Sequence, residues 1–542
     1  MEMKDLELPS LNRFASDYLQ GHLEVEDYFH YDLSSKDMYH NRYKELMNRT
    51  FLRQEVADYI ESYMARLPKS EAVMKSISDL RKEEAVVVIG GQQAGLLTGP
   101  LYTIHKVISI IKLAKEQEEV LKKRVIPVFW IAGEDHDVAE VNHVYVVKEG
   151  KPTKKTYPSY QPFKTMVSDI ELDAQVMEQW FEEIIETYGE TNYTSGLLAN
   201  MKTILCRSQT FVDFFSALIH EWFHEYGLLL IDAADPRLRQ LEAQFFTQMV
   251  ERHEDITAAV CAQQAFIQEQ GYRRMIEMDA NAVNLFYYNP EKKDRCLLER
   301  NNGQIIGKNG ELRFTKQELL QTAKDSPERL SNNVVTRPLM QEMLFPVLAF
   351  ISGPGEIAYW AELKRAFDLF EMKMPPIVPR LNITLVERGV ETDLQEVGLE
   401  LETVLIEGTD KAKESYLESV KDPLLEQLYD KMKRDLQVNH QKLSEHAVEL
   451  DKGLQSLLHK NRFFIEQQLD FIYGKMEAST KEKNAVVVRK YDRIAQSLYP
   501  LHSPQERIWN IFYYLNKYGP DFVQDLMELS YSFNNQHKLI YV

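Results

Sequence analysis

Cysteine is scarce: the chain has three in 542 residues, Cys206, Cys261 and Cys296, far apart and with no CxxC pair. That excludes a disulfide framework and a cysteine-based zinc site, and it fits a reducing compartment. Long hydrophobic runs are missing as well. The longest, residues 343–351, is interrupted by Pro346, whereas a membrane helix needs about 20 apolar residues, so no span is expected. The opening MEMKDLELPS lacks the apolar core of a signal peptide, and the expectation is a cytoplasmic protein. An excess of positive charge is also lacking. Lys plus Arg number 64 against 83 Asp plus Glu, a net charge of −19. Phosphates are repelled on average, which opposes nonspecific binding to nucleic acid or a membrane; a local basic pocket for a small anion stays open. What is present is the composition of a globular protein, 44% apolar and 11% aromatic. At about 100–200 residues per domain, the length allows three or four domain-sized units.

The first 80 residues read as helical, with Leu52, Val56, Ile60, Met64 and Leu67 at helical spacing. The pattern then changes. AVVVI (85–89) is a β-branched run of the kind buried on both faces, followed by the glycine-rich turn GGQQAGLLTGP and a helical segment. VIPVFWI (125–131) and the turn AGEDHD come next, which completes a βαβ unit of a parallel sheet. GLLLI (227–231) before DAADPRLR, and PVLAFI (346–351) before SGPGE, repeat the pattern, and residues 376–379 and 383–386 add short extended pieces. The fold class is therefore α/β, a doubly wound parallel sheet whose strand ends lead into polar turns, where such sheets place ligands. Residues 258–337 are less regular, with strand-like runs and Asn-Gly turns, and read as an inserted subdomain. Beyond residue 390, Tyr429, Leu436, Leu443, Leu450, Leu457, Phe464 and Phe471 recur every seventh position, a coiled-coil signal. Asn439, His446 and Gly453 spoil the companion register, so a helix packed on a neighbour, as in a hairpin, fits better than a straight two-chain zipper. The arm predicts self-association, most simply as a homodimer.

Four turns could carry chemistry. Gly90, Gly91, Gly95 and Gly99 follow a strand and precede a helix, where glycines either let backbone N–H groups approach a nucleotide or simply make a tight turn. The segment is neither GxGxxG nor a Walker A sequence. Gln92 and Gln93 lie in the turn, and His105 and Lys106 in the first turns of the helix. The second turn, Glu134, Asp135, His136 and Asp137 with Asn142 and His143, offers general bases, metal ligands or partners for sugar hydroxyls, or is a solvated loop. In the third, Asp232 and Asp235 read as helix caps before Arg237 and Arg239. The fourth joins Arg337 to Gly353, Gly355, Glu356, Tyr359 and Trp360, a helix start suited to a carboxylate or phosphate.

IGGQQAGLLTGPLYTIHK, FWIAGEDHDVAEVNH, VVTRPLMQE and ISGPGEIAYWAELK, in this order, resemble the BshC family of bacillithiol biosynthesis, and the resemblance covers the chain through LYPLHSPQERIWN. It implies a cysteine ligase that joins the carboxyl of cysteine to the amine of glucosaminyl malate, the last step of bacillithiol synthesis. It also implies a Rossmann-like core resembling class I aminoacyl-tRNA synthetases, a connecting subdomain and a C-terminal α-helical coiled coil. On this reading residues 1–389 form the core with a helical N-terminal segment, roughly 258–337 the connecting subdomain, 390–500 the arm, and 501–542 a helical segment packing back on the core. Amide formation from a free carboxylate is uphill, so ATP or another nucleotide is expected as activator. Gly90, Gly91 and Gly95 are the expected nucleotide site; His105, Asp135, His136 and Asp137 the expected catalytic groups. Gln92, Gln93, Gly99, Lys106, Glu134, Asn142, His143, Arg337, Gly353, Gly355, Glu356, Tyr359 and Trp360 are the expected substrate-binding groups. The synthetase signatures themselves are missing: TGPLYTIH stands in place of HIGH, with His105 its sole counterpart, and no KMSKS follows the last strand. No metal is expected. Arg489, Tyr491 and Arg507 form a candidate second nucleotide site. Two further readings compete: a metal-dependent hydrolase using residues 134–137, and a non-enzymatic coiled-coil scaffold.

Overall fold

Strands that are apolar along their whole length must be covered on both faces. The computed structural model describes residues 1–10, 12–159 and 163–542. In it the apolar runs form β1 (Val86–Gln92), β2 (Val125–Ile131), β3 (Leu229–Asp232) and β4 (Val347–Ser352), with β5 (Ile377–Pro379) beside them. All neighbours are parallel, and the spatial order is β5-β4-β1-β2-β3. This is the doubly wound order of a Rossmann half-sheet. Successive connections leave β1 toward β2 and β3 on one side and reach β4 and β5 on the other. The strand order therefore reverses between β1 and β4, the point where sheets of this kind set a ligand crevice beyond the C-terminal ends of the strands.

The helices around that crevice differ in how they start. α1 (Tyr102–Leu121) joins β1 to β2. α2 (Pro236–Glu251) follows β3, with Asp235 accepting from the Arg237 N–H and Pro236 in the first turn. α3 (Thr336–Leu344) precedes β4, and α4 (Pro354–Ala361) follows it. Residues 383–386 do not continue the central sheet. They lie in a separate three-stranded sheet with Glu2–Leu6 and His537–Tyr541, because the edge strand β5 is three residues long and Arg380 at its end is drawn into a buried ion pair. The segment Glu2–Leu6 is also an exception to the helical reading of the first 80 residues. Between α2 and α3 the helix His253–Glu269 leads into a five-stranded antiparallel sheet spanning Ala282–Asn289 to Leu330–Asn332. Its hairpin at Asn302-Gly303 has φ of 50° and 78°, the left-handed pair that a two-residue turn requires.

The chain divides into two compact units, residues 1–385 with 505–541, and residues 386–504 with Val542. In the second unit, α5 (Pro423–Leu450) and α6 (Gln455–Lys483) are joined by the short turn Lys452–Leu454, and α7 (Ala485–Leu498) follows. α5 and α6 pair as a hairpin. Its seam is largely polar and aromatic. Tyr429 stacks on Tyr473 with ring centroids 4.1 Å apart, Lys433 reaches Asp470 at 2.8 Å, and His440 meets Asn461 at 3.1 Å. Most of the seven-residue stripe lies outside that seam: Leu443, Leu450, Leu457, Phe464 and Phe471 are 58–80% exposed. Only Tyr429 and the half-buried Leu436 turn inward.

Candidate functional site

The glycines of the first turn are explained by packing. Gly90 and Gly91 belong to β1 and pair with Phe129 and Trp130 of β2. A Cβ on Gly90 would lie 2.9 Å from Ile110 Cδ1 of α1, and one on Gly91 2.8 Å from the Trp130 carbonyl oxygen. Gly95 and Gly99 are buried against each other, and Leu97, Thr98 and Gly99 all have positive φ. The segment after residue 505 fills the turn: Asn510 Nδ2 donates to the carbonyls of Leu97 at 2.8 Å and Gly99 at 2.6 Å, and the Leu101 N–H to the Trp509 carbonyl at 2.8 Å. An open nucleotide cradle at Gly95 and Gly99 is thus replaced by a packed turn; Gly91, Gln92 and Gln93 alone of the segment's first residues keep partial exposure.

His105, read as a catalytic candidate, is enclosed. Its Nδ1 bonds Glu506 at 2.9 Å, and burial, more than any neighbour, holds its pKa below the usual imidazole range. Lys106, one residue on, reaches the crevice. Its Nζ donates to the Gly91 carbonyl at 2.7 Å, to Gln92 Oε1 at 3.3 Å and to Glu356 Oε2 at 2.5 Å. Burial lowers its pKa; Glu356 opposes the shift, and Arg380 and Arg337 add to it. Glu356 Oε2 also accepts the Gly353 N–H at 2.6 Å, which caps α4. On α3, Arg337 donates to Gln341 Oε1 at 3.0 Å and to the Tyr359 hydroxyl at 3.4 Å, with its guanidinium over the rings of Phe350 and Trp360. No carboxylate pairs with it among the described residues. Gly355 is exposed with open space around it. Trp360 is fully buried and stacked on Phe350 at 4.4 Å, so it forms the wall behind Arg337 and offers a substrate nothing directly.

The second turn divides its charges. Glu134 points inward, paired with Arg239 of α2 and accepting the Asn332 N–H at 3.1 Å, so it is committed to the interior. At Gly133 before it, a Cβ would collide with Ser168 Oγ and the Asp232 carboxyl, so a larger residue there would displace both side chains. Asp135 faces the crevice and accepts from Gln93 Nε2 at 2.6 Å and from the His136 N–H at 2.7 Å. Burial pushes its pKa up, but the Gln93 amide and Arg295 outweigh that and hold it low. His136 Nδ1 lies 3.1 Å from Arg295 Nη1. A guanidinium can only donate, so Nδ1 accepts and Nε2 carries the hydrogen. Burial, then the Arg295 charge, keeps this imidazole neutral. Asp137 is exposed; the His143 ring lies edge-on to Tyr145, and the side-chain oxygen of Asn142 and Nδ1 of His143 are buried without a partner among the described residues.

Two groups went unread in the sequence. Arg295 comes from the inserted sheet and is locked by Ser331 and the Asn332 carbonyl at 2.9 and 2.6 Å; burial lowers its pKa to about 10. Arg380 follows β5 and is held by Glu506 through both terminal guanidinium nitrogens at 2.7 and 2.5 Å. No local motif marks these pairings, which span 159 and 126 residues. Of the candidate second nucleotide site, Arg489 and the buried Tyr491 lie on α7 of the second unit, whereas the exposed Arg507 belongs to the first, over the Tyr102 ring.

The site thus has a cationic side (Lys106, Arg337, Arg380) and a polar side (Gln93, Asp135, His136) on the two flanks of β1. Two family models match the chain: "Bacillithiol biosynthesis BshC, N-terminal Rossmann-like domain" over residues 1–381 and "Bacillithiol biosynthesis BshC, C-terminal coiled-coil domain" over residues 383–542. Similar proteins carry the name "Putative cysteine ligase BshC". One from Geobacillus sp. (strain WCH70) is 46% identical over 544 residues, and one from Geobacillus thermodenitrificans is 46% identical over 542. One from Bacillus velezensis is 43% identical over 541, and in each case the match covers 100% of both chains.

Proposed function

Because the chain belongs to the bacillithiol biosynthesis BshC family, we propose that it is a carbon–nitrogen ligase that condenses the carboxyl of cysteine with the amine of glucosaminyl malate, closing the amide bond of bacillithiol. The observation that supports this most is Arg337, a guanidinium at the switch point with aromatic walls and no carboxylate partner among the described residues. Such a group suits a malyl carboxylate, which it can grip through two parallel N–H donors.

A nucleotide, ATP or another, would activate the cysteine carboxyl; the partly exposed Gly91, Gln92 and Gln93 are the part of the first turn open to it. The chain's own residues then have separable tasks. Arg337 and Lys106 orient the sugar acid by its carboxylate. Asp135, ionised and half-exposed, pairs with the substrate ammonium and receives its proton as the amine attacks. His136 offers Nε2–H to the oxygen on which charge develops. The proposal includes a cytoplasmic homodimer joined through the arm, for which the exposed leucines and phenylalanines speak. The hydrolase reading finds less support: Glu134 is committed to Arg239, and among the described residues no three His, Cys, Asp or Glu side chains converge.

The test is incubation of the purified chain with glucosaminyl malate, cysteine and ATP. Thiol product with AMP release indicates an adenylate, and product with ADP release an acyl phosphate. No product with any nucleotide sinks the ligase reading.

A further inference from the structure

The structure assigns Arg380 a role that no motif announces: we propose that it is a second anchor for the anionic substrate, and that Glu506 is the positioning residue that aims it. This rests on the ligase reading for the identity of the substrate, a carboxylate-bearing sugar acid.

Two of the three nitrogens of the Arg380 guanidinium are spent on Glu506. Nη1 also meets the Leu381 carbonyl at 3.3 Å, while Nε makes no hydrogen bond among the described residues. Nε points toward Gly353: a Cβ built there would stand 3.7 Å from it and 3.5 Å from Glu356 Oε2. Gly353 has φ of −80° and ψ of 170°, which any residue adopts, so its backbone gives no reason for glycine. The missing side chain leaves a gap between the crevice and Nε. Glu506 is itself fixed on a third side by His105 Nδ1 at 2.9 Å, so the guanidinium cannot swing. The charges agree. Among the described residues, Lys106, Arg337 and Arg380 meet Glu356 and Glu506 alone, which leaves one positive charge for a ligand.

Calorimetric titration with L-malate, a dicarboxylate probe, tests this in the full-length protein. Gly353→Ala covers Nε at ordinary contact distances and should fold normally, yet weaken malate about tenfold, the worth of a charge-assisted hydrogen bond. Glu506→Gln should weaken it comparably, and Glu506→Asp should recover part of the loss. Unchanged malate affinity in Gly353→Ala and Glu506→Gln overturns the proposal, as does failure of the wild-type chain to bind malate. If malate binding depends on these residues but no thiol product forms in the ligase assay, the anchor stands and the ligase reading fails.

Discussion

Arg337 stands apart from the other cations around the crevice because nothing neutralises it among the described residues. A buried charge that loses its partner is costly, but removing Arg337 orphans no carboxylate. Arg337→Ala should therefore leave thermal unfolding nearly unchanged while raising KM for glucosaminyl malate about tenfold or more, and steady-state kinetics with a melting curve separates the two effects. Asp232 behaves in the opposite sense, as a stability group. Burial first of all raises its pKa to about 6, against the Ala234 N–H and the Ser168 hydroxyl. The folded state thus holds its proton more tightly than the unfolded chain. Its contribution is favourable below its unfolded value and is lost as pH rises through about 6. Asp232→Asn should remove this, so the wild type gains on the variant by about 1–3 kcal/mol from pH 7 to pH 4; denaturant unfolding across that range measures it. Such roles were only half visible in the sequence. Lys106 and Asp135 could be picked out because they follow strand ends, and Arg337 as a cation ahead of the turn at residues 353–356. The groups that no motif marks, Arg295 beside Asp135 and Glu506 beside Arg380, are brought in by tertiary folding. His105 and Lys106 are chain neighbours on one helix, yet one faces an internal ion pair and the other the crevice.

At the scale of elements, four of the five central strands were legible because a strand covered on both faces has to be written in apolar, largely β-branched residues; the three-residue β5 read only as an extended piece, no different from residues 383–386, which joined another sheet. The glycines were legible as present but not by purpose, since the same letter serves close packing and close ligand approach. The two uses separate by substitution. Gly90→Ala pushes a methyl against Ile110 and the Ile351 carbonyl and should cost about 1–3 kcal/mol in unfolding free energy. Gly355→Ala, in the first turn of α4 with open space around it, should be neutral or stabilising by up to about 1 kcal/mol. The heptad was similarly legible in spacing and not in direction. Seven-residue periodicity says that one face of a helix is apolar; it does not say whether the neighbour within the hairpin or something beyond covers that face. In the arm the hairpin uses Tyr429, Tyr473, Lys433 and Asp470, which leaves most of the apolar stripe outward.

For the whole molecule, an outward row of leucine and phenylalanine side chains 58–80% exposed calls for a covering surface, and the arm of a second copy is the simplest one. The proposed arm-joined dimer should fall to a monomer when Leu457 and Phe464 are together replaced with aspartate in the full chain, read as a halved mass in light scattering. A variant that stays dimeric places the interface elsewhere.

The side chain of Gln505 bonds both backbone groups of Leu385, accepting its N–H and donating to its carbonyl, each at 2.8 Å. The residues at which the chain leaves the first unit and re-enters it are thus clasped together, with the whole of residues 386–504 looped out between them. On a ribosome this has a temporal meaning. The parallel sheet emerges early with its crevice unfinished, the arm follows as locally ordered helices, and only then arrive Glu506 for Arg380 and Asn510 for the glycine turn. A chain stopped anywhere within the arm would own every strand of the central sheet and still lack the carboxylate that steadies one of its cations, so competence for anion binding should appear abruptly, with the last few dozen residues synthesised.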